Sequence, residues 1–76
     1  MSMMNILHSM TRPELEHLKS LLNLSETESF VFDMLAKGKS IKEISARTDL
    51  SERSVNRNIG RIRAKVLEVT GGAFLA

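Results

Sequence analysis

Apolar residues recur along this chain at three- and four-residue intervals, the spacing of one helix face, and nowhere alternate as a strand requires. Leu15, Leu18, Leu21 and Leu22 form one such stripe, which predicts a helix from about Arg12 to Leu22. Val31, Phe32, Met34 and Leu35 predict a second, over about Glu26 to Lys37. Ile44 faces inward from a short third, about Ile41 to Thr48. The longest helix is capped by Ser51 and reaches about Thr70, with Val55, Ile59, Ile62, Val66 and Val69 facing a core. Met3, Ile6, Leu7 and Met10 share helical spacing too, so a turn or two could precede Thr11. The expected fold class is all-α, with four helices, or five if the N-terminal turn forms.

The ends of these elements carry their own signals. A Ser or Thr three residues before a Glu can cap a helix reciprocally, each side chain binding a backbone N–H left free at the helix start. Thr11–Glu14, Ser25–Glu28 and Ser40–Glu43 all fit, and Pro13 sits in a first turn where its missing N–H costs little. Met10–Leu15 and Leu50–Val55 have the spacing of apolar staples across a cap. Gly38 is placed to stop the second helix in a left-handed conformation. Asp49 and Leu50 make a tight turn, and Gly71-Gly72 ends the last helix.

Length and composition narrow the classes. Seventy-six residues make one small domain, which buries only about 60% of its unfolded surface. There is no cysteine, so neither a disulfide nor a cysteine-based metal site is available. His8 and His17 stand without a ligand pattern and read as partly exposed helix residues. No apolar run approaches the ~20 residues of a membrane span, and the N-terminus lacks the features of a signal peptide, so a cytoplasmic protein is expected. No nucleophile–base set, shaped acid pair, glycine-rich phosphate loop or metal cluster is present, which argues against an enzyme and against a cofactor.

Charge is unevenly spread. Residues 1–24 balance, and residues 25–50 carry five acids against four bases. Residues 51–76 carry five bases (Arg53, Arg57, Arg61, Arg63 and Lys65) against Glu52 and Glu68, a net of +3. A basic segment on a near-neutral chain suggests an anionic partner, nucleic acid first.

Two short helices joined by a turn and followed by a basic helix describe a helix-turn-helix unit. In that arrangement the helix at 41–48 crosses the DNA backbone and the helix from Ser51 enters the major groove. Arg and Asn match guanine and adenine edges there, so Arg53, Asn56, Arg57 and Asn58 are the candidate base readers. Ser51, Ser54, Arg61, Lys65 and, on the preceding helix, Lys42 are the candidate phosphate contacts; the cap at Ser51 adds free N–H groups.

These residues also carry a family resemblance. Leu24 to Gly38 resembles the opening of the LuxR-type (GerE-type) helix-turn-helix. Lys39-Ser-Ile-Lys-Glu-Ile-Ser45 and Leu50-Ser-Glu-Arg-Ser-Val55 continue it, and Arg61-Ile-Arg-Ala-Lys65 resembles its closing segment. The likeness covers residues 24–66 without a gap. It implies a DNA-binding domain that dimerises on a direct or inverted repeat of double-stranded DNA and regulates transcription. By position, Asn56, Arg57 and Gly60 would face base edges, and Ser54, Arg61 and Lys65 would lie nearer phosphates. Glu28 would orient the scaffold by pairing with a basic residue of the recognition helix.

The departures from the family are specific. Gly60 has no side chain to read a base, Asn56 to Asn58 replace its usual residues, and Gly71 to Ala76 stand where its closing helix would be. Phe30 and Ile41 occupy positions where polar residues are usual, so the N-terminal helix, through Leu15, Leu18 and Leu22, is a candidate to cover one of them or to form a dimer seam, while ordinary packing within the molecule is the favoured expectation. The expected organisation is an N-terminal amphipathic segment over 1–23, the helix-turn-helix domain over 24–70, and an apolar tail over 71–76. The 23 upstream residues are too few for a sensory domain, so the domain is expected to stand alone. The competing reading is a protein-interaction module that docks on RNA polymerase or another regulator; the fold also resembles the promoter-reading region of sigma factors.

Overall fold

Reciprocal side-chain caps start three of the helices, and they appear where the sequence placed them. A computed structural model describes residues 3–71 as α1 (Met3–Ser9), α2 (Arg12–Leu22), α3 (Glu26–Ala36), α4 (Ile41–Arg47) and α5 (Glu52–Thr70), with no strand among the described residues. The Thr11 N–H donates to Glu14 Oε1 at 2.8 Å while the Glu14 N–H donates to Thr11 Oγ1 at 3.3 Å. Ser25 with Glu28, and Ser40 with Glu43, repeat this exchange at 3.0–3.3 Å. Each pair satisfies two N–H groups that the helix itself cannot. The Met3 side chain, and the tail with Phe74 and Leu75, lie outside the described residues.

Three left-handed residues, Asn23, Gly38 and Gly71, turn the chain out of helices. Asn23 (φ 51°) follows α2. After α3, Gly38 takes φ 80°, and the N–H groups of Gly38 and Lys39 donate to Leu35 O and Met34 O at 2.9 and 3.1 Å. That paired return is the Schellman arrangement, which glycine enters without the penalty of a Cβ. The His8 ring lies 3.1 Å from where a Gly38 Cβ would stand, and its Nδ1 is 3.3 Å from Ala36 O. A side chain at 38 would therefore meet both a backbone cost and α1.

The core is aliphatic with one buried aromatic ring. Phe32 is the largest fully buried side chain, surrounded in the cluster by Leu7, Val31, Leu35, Ile44, Val55, Ile62 and Val66. α2, α3 and α4 all pack on α5, and α1 packs on α3. Leu7 is 1% exposed, so the N-terminal turn is a full helix that contributes to the core.

Periodicity overstated the buried face at two positions. Leu21 is 52% exposed and Val69 41%, because only the end of α2 lies beside the last turn of α5, across a shallow hollow. Phe30 is 48% exposed, so the N-terminal helices do not cover it. Leu18 and Leu22 are buried in the core, which removes them from any dimer seam, whereas Ile41 is half-buried against the cluster.

Candidate nucleic-acid interface

The junction between α4 and α5 is tied by three hydroxyl contacts. Thr48 Oγ1 donates to Ile44 O at 2.9 Å and accepts the Leu50 N–H at 3.2 Å, while Ser45 Oγ donates to Leu50 O at 2.8 Å. These bonds fix the turn and hence the angle at which α5 leaves α4. Ser45 and Thr48 are not among the candidates the sequence suggests; the available signal was a hydroxyl in the last turn of α4 and another at its cap, where Ser and Thr side chains bond nearby backbone groups. Ser51 then caps α5 by accepting the Ser54 N–H at 3.1 Å.

At 3.6 residues per turn, the line opposite Val55, Ile62 and Val66 runs through Arg53, Arg57, Gly60 and Ala64, all exposed. Asn56 and Arg63 are exposed on one flank and Arg61 on the other. Arg53, Arg57, Arg61 and Arg63 have no ion-pair partner among the described residues, and neither has Lys42 on α4. Like charges four apart, as in Arg53–Arg57–Arg61, weaken an isolated helix by about 0.2–0.5 kcal/mol per pair. Helix stability therefore does not explain this arrangement, whereas an anionic partner does. Arg53 to Arg61 span about 12 Å of helix axis, comparable to the width of the major groove.

Two expected contacts are corrected by this geometry. Asn58 is only 7% exposed, and its Nδ2 donates to Ser54 O at 2.9 Å, one turn back. It sits about a third of a turn from the outward line, on the flank that faces the body, and its amide is bonded within its own helix. Lys65 shares that flank. Its ammonium donates to Glu28 Oε1 at 2.6 Å and to Asn23 O at 3.2 Å, so it is engaged by the scaffold. Glu28 thus takes the scaffold role expected from the resemblance, and Lys65 is its basic partner.

The Lys65 ammonium, with the Ser25 N–H second, holds the Glu28 carboxyl below its ordinary range. Glu14 and Glu43 are lowered chiefly by the backbone N–H groups of Thr11 and Ser40. A carboxyl depressed on folding binds fewer protons folded than unfolded, so its contribution is present at neutral pH. It is lost as pH falls below about 4.3, the unfolded value, and through the folded one. Urea midpoints measured from pH 7 to pH 3 should fall across that window, and Glu28→Gln should flatten the fall. Midpoints independent of pH would contradict the assignment.

Gly60 sits in the middle of α5 with nothing within 4 Å of where its Cβ would stand. Gly60→Ala should therefore stabilise the free protein by about 0.5–1 kcal/mol, raising Tm by several degrees. The same variant should bind DNA more weakly if this line of the helix lies against the groove, where a methyl group has less room. A thermal melt and a binding titration of the one variant check both parts.

Comparison with known proteins agrees with this geometry. The family model described as bacterial regulatory proteins, luxR family, matches residues 22–72. No curated protein and no solved structure matches the chain. The matched span takes in the end of α2, the α4–turn–α5 unit, the Glu28–Lys65 pair and the basic face of α5, and it exceeds half the chain. That family is one of DNA-binding regulators and is not an enzyme family, and no helix among the described residues is long and apolar enough to cross a membrane. The chain belongs to the luxR family of bacterial regulatory proteins.

Proposed function

We propose that this chain regulates transcription from the cytoplasm by sequence-specific binding of double-stranded DNA, with the first turns of α5 in the major groove. Arg53, Asn56 and Arg57 read base edges, where their planar polar ends match guanine and adenine. Ser51, Ser54, Arg61 and Lys42 lie toward the phosphates, and the free N–H groups at the start of α5 add to that hold. The observation that carries this reading is the set of four exposed, unpartnered arginines on one 19-residue helix. One module of this kind buries roughly 600–1,000 Å² on DNA, which favours a homodimer on a repeated site over a lone copy.

The test is the salt dependence of binding to random duplex DNA. Affinity should fall steeply with salt, and Arg61→Ala should lower the slope of log K against log salt by about 0.9, the value of one phosphate contact. Affinity that ignores salt, or no binding even at low salt, would remove DNA as the partner.

A further inference from the structure

One concave surface is left unused by the DNA reading. Phe30, 48% exposed, and Leu50 line an open hollow of about 530 Å³ between α3 and the turn that leads into α5. Three carboxylates, Glu26, Asp33 and Asp49, stand around it against the single cation Arg47. Lys19 engages Asp33 at 2.9 Å, but Glu26 and Asp49 have no ion-pair partner among the described residues.

A lone exposed apolar residue is ordinary. Here the exposed residue is an aromatic ring on the wall of a hollow, beside a second apolar side chain and under a carboxylate rim. Aromatic side chains seated at pockets carry a disproportionate share of interface energy, and surrounding charges select the partner. The rim repels phosphate, so this surface does not continue the α5 interface.

We propose that the hollow docks a segment of another protein that presents one large apolar side chain flanked by lysine or arginine. The apolar group packs on Phe30 and Leu50, and its basic neighbours meet Glu26 and Asp49. Leu50 directly precedes Ser51, so a partner held here sits beside the start of α5. This goes beyond the DNA reading and stands independently of it.

Selection from a displayed library of random dodecapeptides on the whole chain tests the proposal. Enriched peptides should carry an aromatic residue or leucine flanked by Lys or Arg. Their retention should fall at least about tenfold on Phe30→Ser and on the Glu26→Lys/Asp49→Lys double variant. Both variants change exposed side chains only; each should keep its helical circular dichroism and neither should weaken binding to random DNA, which the added lysines can only strengthen, so failure here is distinguishable from failure of the DNA reading. No enrichment, enrichment of acidic or uncharged peptides, or retention on either variant equal to that on the parent would overturn it. A sedimenting dimer that Phe30→Ser dissociates would also overturn it and give the hollow to a second copy.

Discussion

Phe32→Ala should remove about 3–5 kcal/mol of stability, the range for truncating a fully buried aromatic side chain. The ring is 1% exposed and is the largest buried side chain, on the helix that packs both α1 and α5. A domain of this length has only about 4–11 kcal/mol in total, so the variant should sit near its unfolding threshold at 37 °C. In urea, with a slope of about 1 kcal/mol per molar, the midpoint should drop by roughly 3 M or more. Phe30→Ala, two residues away, should cost far less, because about half of that residue is already exposed to water. Equal losses for the two variants would contradict the packing of α3.

Arg57→Ala should cost about 1–3 kcal/mol on the preferred DNA site, a loss of roughly 5- to 150-fold, and much less on random DNA. Its guanidinium lies on the outward line of α5 with no internal partner, so truncation leaves the fold intact. Lys65→Ala should behave differently, because Lys65 neutralises a carboxylate that is 5% exposed. Removing the ammonium strands that charge in the scaffold, which destabilises the protein on or off DNA. Titrations on specific and random duplexes, alongside melts, separate the two kinds of loss.

Much of the fold was legible because capping is local chemistry at fixed spacing. Thr11, Ser25 and Ser40 announced three helix starts, and the elements begin within a residue of them. Periodicity identified Val55, Ile62 and Val66, but it carries no information on where a neighbouring helix runs out. Leu21 and Val69 were misjudged for that reason. Asn58 and Lys65 joined the basic stripe because they are polar and helically spaced with Ser54 and Arg61. Their fate depended on which flank meets α2 and α3, a tertiary fact. The contact of His8 with Gly38 is of the same kind, joining two segments that nothing in the local pattern links.

In-vitro selection of bound duplex DNA tests the central claim, that the start of α5 reads sequence. The parent protein should enrich a defined motif, repeated if it acts as a dimer, and Arg57→Ala should lose preference at one base-pair position of each half-site while keeping the rest. Random sequences emerging from the parent, or an unchanged motif from Arg57→Ala, would contradict it.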